Sequence, residues 1–441
     1  MAPGRYVAYW MQQAQRATFN HALEFAIREA NARSLPVVVV FGLTDGYPEA
    51  NLRHYAFLLQ GLADTAGALR RRGIQLVLRR GEPDEVAIAF SRDAALLVTD
   101  AGYLRIQRHW RQKVAQHAAC PVVQVETDVV VPLAAASTKE EFAARTIRPK
   151  IHRCLPRFLQ PLSQTDPVHA SLSLHFDGLD PTKPDAILHD LDIDRSVGIV
   201  TDYSGGYTAA RRHLDHFLAH FLNGYAEKRN EPALNAVSHM SPYLHFGQIS
   251  PLEIALAVRA AGPSPDADAY LEELIVRREL SMNFVAYNDA YDRFECLPEW
   301  AIQTLRDHAS DKRPYLYSRR DLEEGATHDP YWNAAQLEMV RTGKMHNYMR
   351  MYWGKKILEW TARPEDAFAI ALELNNKYEL DGRDANSFTG VAWCFGKHDR
   401  PWTRRPVFGT VRYMNDAGLR RKFDMLAYVR RVEALAGRNA Q

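Results

Sequence analysis

The run KMHNYMRMYWGKKILEW (344–360) puts oxidisable rings and cations into one segment of helical character. On a helix, Trp353 and Trp360 share one face and stand about 10 Å apart along the axis. A third indole, Trp332, precedes Trp353 by twenty-one residues in DPYWNAAQLEMV (329–340), again a segment of helical character. Three indoles on packed helices have two uses. Periodicity alone weighs toward core packing, because tryptophans are mostly buried and recur along an apolar face. The other use is a route for single electrons. Lys344, His346, Asn347, Arg350, Lys355 and Lys356 crowd the same stretch, so the helix is not uniformly apolar. Arg350, if inside, needs an anionic partner.

Four further segments carry polar chemistry. SHMSPYLHFGQISP (238–251) sets Ser238, Ser241, Gly247 and Ser250 around a helix start, with Pro242 at its first position. Hydroxyls and free N–H groups there can hold a phosphate, although capping serines usually only cap. DAYLEELIVRRELSMNF (268–284) places Glu272, Glu273, Arg277, Arg278 and Glu279 on one continuous helix, with Glu273 and Arg277 as an i,i+4 pair. Solvated ion pairs satisfy that spacing, and so do Arg277 on a phosphate and Glu273 on a polar ligand. LNNKYELDGRDANSFTGVAWCF (374–395) reads as a polar loop in which Asp381 suits Arg350 and the amides of Asn375 or Asn386 suit a heteroaromatic ring. KHDRPWTRRP (397–406) gathers Lys397, Arg400, Arg404 and Arg405 around Trp402, the mixture of cations and rings that fits a nucleic-acid groove.

The elements that must position these residues fall into two kinds. YVAYW (6–10), PVVVVFGL (36–43), IQLVL (74–78), AALLVTD (94–100) and PVVQV (121–125) read as buried parallel strands, with helices over 20–33 and 54–72 between them. This is a doubly wound α/β pattern over 1–135. It lacks the GxGxxG and P-loop fingerprints, and Trp10, Gln12, Gln15 and Arg16 stand where a strand-end ligand would bind, or are plain surface-loop residues. Residues 136–206, rich in Pro, Asp, Ser and Gly from about 160, read as an interdomain linker. Beyond it, 207–441 is mostly helical, with helices expected over 207–230, 251–261, 268–288, 333–343, 346–361 and 364–379.

A chain of 441 residues exceeds one hydrophobic core, so at least two domains are expected. The net charge of +2 does not announce a nucleic-acid binder, and local clusters must carry that argument. Cys120, Cys154, Cys296 and Cys394 are scattered without ligand spacing, which argues against a zinc site, any other metal centre or a disulfide framework. No signal peptide or membrane-length apolar run is seen, so a soluble, cytoplasmic protein is expected, nucleoid-associated if prokaryotic.

Taken together, SHMSPYLHFGQISP, EELIVRREL, HNYMRMYWGKKILEW and LDGRDANSFTGVAW resemble the flavin domain of photolyases and cryptochromes, most specifically the class II cyclobutane pyrimidine dimer photolyases. The likeness spans roughly 207–425, and RYVAYWMQQAQR extends it to the antenna-type first domain. It implies FAD, active in its reduced anionic form, and UV-damaged DNA as partner of a monomeric enzyme. By resemblance, Tyr225, Ser238, Met240 and Ser241 line the adenine and diphosphate side and Arg277 approaches the phosphates. Asn347, Arg350 and Asp381 surround the isoalloxazine, with Arg350 and Asp381 as a salt bridge. Asn375 faces flavin N5, with Asn386 as its rival. Trp353 lies nearest the flavin, Trp332 in the middle and Trp360 near solvent. Glu273, Met351, Trp393 and Trp402 meet the lesion, and Asp399 with Arg400 fill the gap it leaves in the duplex. Arg404 and Arg405, with Lys397 and Arg400, meet phosphates. A deazaflavin is the antenna chromophore the resemblance suggests.

Two rivals share the family: a (6-4) photolyase using His346 and His398 for proton transfer, and a cryptochrome-like light sensor. The sensor is disfavoured by the short stretch after the last expected helix. A third rival is a flavin-free α/β domain fused to a helical nucleic-acid-binding module.

Overall fold

The structure, a computed structural model, describes residues 4–438. Strands β1 (Tyr6–Trp10), β2 (Val37–Leu43), β3 (Gln75–Arg80), β4 (Ala94–Asp100) and β5 (Val122–Val125) form one sheet in the order β3-β2-β1-β4-β5. Every neighbouring pair is parallel, and Tyr9 registers with Val39 on one side and Val98 on the other. The Val-rich runs do not alternate because both faces are covered. Val7, Tyr9, Val37 and Val39 pack with residues of α1 (His21–Ala32) and α2 (Leu52–Arg71). Ala8, Trp10, Val38 and Val40 pack with Val86 and Phe90 of α3 (Pro83–Ser91) and Trp110 of α4 (Arg105–His117).

The strand order reverses between β1 and β4, which is where open α/β sheets bind ligands. Buried Asp100 fixes the loop there: its carboxylate accepts from the Gln13 N–H (2.8 Å), the Ala14 N–H (2.9 Å) and the Tyr9 hydroxyl (2.7 Å).

Residues 136–206 hold more order than a linker's composition suggests. Helix α5 (Ala144–Phe158) buries Ile147 and Ile151 in the helical part's core. Further on, the chain runs along edge strand β3. Ser171 Oγ accepts from the Gln75 N–H (2.8 Å), and the Leu179 N–H donates to the Leu78 carbonyl (2.7 Å).

The helices that follow include α6 (Tyr207–His220), α7 (Pro251–Ala260), α8 (Pro265–Leu271), α9 (Arg278–Tyr287), α10 (Pro330–Thr342), α11 (Asn347–Trp360), α12 (Pro364–Tyr378), α13 (Ala385–Cys394) and α14 (Met425–Arg438). Three expectations need correction. The 207–230 helix stops at His220, and the chain turns at Gly224, whose φ of +84° suits glycine. The 268–288 helix is interrupted by a π-turn, Glu272–Arg277. The polar loop of 374–395 shrinks to the stretch between Tyr378 and Ala385, because Asp384 caps α13 by accepting from the Asn386 N–H (3.0 Å).

Two glycines let elements meet. A Cβ on Gly354 of α11 would stand 2.6 Å from Cys394 Sγ of α13, so the helices cross at that glycine. At Gly247, with φ of +62°, a Cβ would stand 1.9 Å from the Gln13 carbonyl, where the helical part closes onto the loop after β1. Gln13 Nε2 donates to the His245 carbonyl (2.8 Å), and Arg16 donates to the Gly247 carbonyl (2.9 Å) at the same junction.

Candidate active site

A cavity of about 640 Å³ opens into the helical part. One end is walled by the turn that carries Ser238, Met240 and Ser241, with Tyr225 beside it. Asn347, Arg350 and Met351 reach it from α11, Asp381 from the turn before α13, and Asn386 and Trp393 from α13 itself. Glu273 and Arg277 enter from the π-turn. Residues from four separate motifs thus share one wall. Asn375 does not: it is buried behind the wall with its amide donating to Ser387 and its Oδ1 unpartnered.

The end around Arg350 is densely charged. The expected partner, Asp381, stands 3.6 Å from Arg350 Nη2, but Glu379 is closer at 3.0 Å and is wholly buried. Glu379 is not among the residues that the sequence singles out. The Met345 N–H also donates to Glu379 Oε1 (3.1 Å). Lys344 lies 3.7 Å from Asp381 and donates to Ser241 Oγ. Burial pushes the Glu379 carboxyl up to about 8 against the pull of Arg350. Burial also works on Asp381, but Lys344 and Arg350 outweigh it and hold that carboxyl well below the usual carboxylate range.

The π-turn rearranges the pairs expected of a regular helix. With hydrogen bonds running i→i+5, residues five apart come into line, and Arg277 Nε meets Glu272 (3.4 Å). Glu272 also takes Arg148 of α5 (2.7 Å). Glu273, released from Arg277, is held instead by Arg229 (2.7 Å). The Arg277 guanidinium lies over the Trp393 ring at 5.3 Å, so this cation caps an aromatic wall beside Glu273 and Met351.

The three indoles form a continuous chain of ring contacts behind the wall, the first pair stacked and the second edge-on. Trp353 is buried one turn after Arg350. Its ring lies parallel to that of Trp332, 7° between planes and 6.4 Å between centroids, and Trp332 meets Trp360 at 5.6 Å. Trp353 Nε1 donates to Gln336 Oε1 (2.9 Å), and Trp332 Nε1 to the Trp353 carbonyl (3.0 Å). Trp360 does not end near solvent as expected: it is 2% exposed, roofed by Tyr317 and His328 with centroids 5.4 and 5.2 Å away.

Outside the cavity, the exposed ring of Trp402 is flanked by the guanidiniums of Arg400 (5.4 Å) and Arg412 (5.0 Å), and its Nε1 donates to Asp399 (3.2 Å). Arg404 and Arg405 are exposed beside it. Lys397 is not a surface cation. It is buried, paired with Glu140 and donating to the Cys296 carbonyl (2.8 Å). His346 lines the cavity, whereas His398 lies off it, hydrogen-bonded to the Phe142 carbonyl (2.8 Å). Burial lowers both imidazoles to about 4, so both are neutral at physiological pH.

A second, narrower cavity of about 110 Å³ lies at the sheet's switch point. Trp10, Gln12 and Gln15 line it with Tyr47, Trp110 and Arg383. Arg16 does not; it is consumed by the Gly247 carbonyl and by the Thr127 carbonyl (2.5 Å). Among the described residues no cluster of His, Cys, Asp and Glu is arranged to hold a metal, and no helix is long and apolar enough to cross a membrane.

Residues 7–168 match the family model described as DNA photolyase. The chain is 54% identical to the deoxyribodipyrimidine photo-lyase of Methanothermobacter thermautotrophicus, over 98% of this chain and 95% of that one. It is 42% identical to the enzyme of the same name from Arabidopsis thaliana, over 97% and 89%. A crystal structure of a class III photolyase from Agrobacterium tumefaciens superposes with a TM-score of 0.76 at 21% identity, covering 98% of this chain and 87% of that one. The α/β sheet joined to a helical part is the architecture of solved photolyase and cryptochrome structures. With relatives at this identity along nearly its whole length, the chain belongs to the DNA photolyase family.

Proposed function

We propose that the chain is a class II cyclobutane pyrimidine dimer photolyase that uses FAD. The observation that carries this reading is the cavity in which Arg350, placed for a flavin, shares a wall with Glu273, Met351 and Trp393, placed for a flipped lesion. Polar atoms in this region fit such a ligand: Arg350 Nε and His346 Nε2 are buried without partners. Tyr225, Ser238, Met240 and Ser241 would hold the adenine and diphosphate end, and Asn347, Arg350 and Asp381 the ring end. When bound, reduced FAD supplies on illumination the electron that opens the cyclobutane ring and takes it back.

The chain's own residues do the rest. Arg350 favours negative charge at the ring, and the Trp353–Trp332–Trp360 chain gives electrons a path inward. Photolyases are among the enzymes that extrude their target from the duplex. Here Glu273, steadied by Arg229, offers a carboxylate to a thymine edge, while Met351 and the Arg277-capped Trp393 give it apolar and aromatic walls. Asp399, Arg400 and Trp402 form a braced wedge for the vacated gap, and Arg404 and Arg405 meet phosphates. The neutral imidazoles of His346 and His398, the latter off the cavity, suit a (6-4) reaction poorly.

The finer assignments belong to the same reading. A deazaflavin antenna would occupy the switch-point cavity, where Trp10 Nε1 and Gln15 Oε1 are unpartnered. Residues 1–135 act as its domain, 207–441 as the catalytic one, and the enzyme works as a cytoplasmic monomer. The test is repair of a thymine-dimer oligonucleotide by the purified protein with reductant, under blue light and in the dark. Light-dependent return of intact thymines is expected. A bound, photoreducible flavin without repair would point to a sensor or a (6-4) enzyme.

A further inference from the structure

Glu379 lies behind the cavity's charged end, off its lining but against Arg350, and the mechanism above does not use it. It is wholly buried, and its Oε1, 3.0 Å from Arg350 Nη2, shares that nitrogen with Asp381 Oδ1 at 3.6 Å, so the two carboxyl groups sit on one guanidinium corner. Glu379 Oε2 and Asp381 Oδ1 find no other donor. Two buried carboxyls crowded onto one guanidinium do not both ionise readily, and a proton held between them would give the orphaned oxygens a partner. Other charged or titratable groups face Glu379: Lys344 ahead of α11, Arg53 and His54 from α2, Tyr203 from the crossing segment and Tyr428 from α14, while Arg383 in the turn before α13 faces Asp381. His54 is neutral, its Nε2 bonded to the Glu379 carbonyl (3.0 Å), and both tyrosines are held un-ionised by burial.

We propose that Glu379 carries a proton shared with Asp381, so that Arg350, Lys344, Asp381 and Glu379 together present one net positive charge to the ligand. This rests on the flavin reading above. With both carboxylates ionised the four groups would sum to zero, and an anionic flavin would add an uncompensated charge to a buried site. With the proton in place, the same flavin brings the local sum to zero. Glu379 is therefore a positioning residue for charge: it sets the flavin's preference for the anionic form without touching the lesion.

Burial places the ionisation of Glu379 near pH 8, so it is observable. The experiment is a pH series of the reduction potential of the flavin in the holoenzyme and in E379Q, whose amide keeps the neutral state. Light-minus-dark infrared spectra of both, in H2O and D2O, accompany it. Above the ionisation of Glu379 the parent's potential should fall with pH by one proton per electron more steeply than that of E379Q. A deuterium-sensitive carboxylic acid band should appear in the parent and be missing from the variant. Coincident pH profiles together with no such band would overturn the proposal. A holoenzyme preparation that contains no flavin would overturn the underlying reading instead, so the two failures are distinct. If E379Q does not fold, the band is assigned with E279Q, because Glu279 is the other carboxyl that burial raises to about 8: a band that survives there supports the proposal, and one lost with Glu279 overturns it.

Discussion

Arg350 owes its place to a carboxylate two positions from the one its charge pattern suggests. Asp381 is legible as a partner because an arginine inside a helical core demands an anion and the turn near it is acidic. Glu379 is not, because within KYELDG it reads as an ordinary glutamate at a helix end; its burial arises only when α2, α11 and α14 converge on that turn. Two outcomes are expected at this scale. R350A should purify with its flavin oxidised and resist photoreduction; a variant that photoreduces like the parent would remove Arg350 from its role. The Glu379 carboxyl, raised from 4.5 to about 8, stays protonated in the folded chain where the unfolded chain ionises. Folding stability therefore falls as pH climbs through that window, and the loss is complete above about 8. E379Q should flatten part of the fall in urea titrations across the window, leaving the share of Glu279, which burial also raises to about 8.

At the scale of elements, the strands are readable almost to the residue because buried parallel strands announce themselves as unbroken Val-rich runs. The π-turn is not, since 3.6-residue periodicity persists on either side of it and one widened turn leaves no mark on the apolar pattern. Its effect is the exchange of Glu273 from Arg277 to Arg229. Helix α10 shows how a cap serves the indoles. Asp329 accepts from the N–H groups of Tyr331 (2.9 Å) and Trp332 (3.1 Å) and from the hydroxyl of buried Tyr352. D329A loses the cap and orphans that hydroxyl, so a loss of roughly 2–4 kcal/mol is expected in denaturant titrations, with slower photoreduction as Trp332 loosens. D329N, which keeps a cap, should recover much of both.

Across the whole molecule, the two parts are joined by interactions no local pattern announces. G247A must place a side chain at positive φ against the Gln13 carbonyl, and a loss of about 1–3 kcal/mol or more is expected from its denaturation midpoint. If the exposed Arg404 and Arg405 meet phosphates as proposed, R404Q with R405Q should flatten the dependence of log DNA affinity on log salt by roughly 0.9 for each phosphate that is no longer neutralised. An unchanged slope would move the DNA groove elsewhere. The stretch that lies along β3 has a consequence of its own. An edge strand offers unpaired N–H and C=O groups to any other chain, and Ser171 and Leu179 occupy those of β3 from within. A fragment cut at residue 135 bares that edge and should aggregate in light scattering, whereas one extended to 197 should stay dispersed. During synthesis the same edge is unguarded until Ser171 and Leu179 have left the ribosome, which makes the crossing stretch a built-in chaperone for the sheet that precedes it.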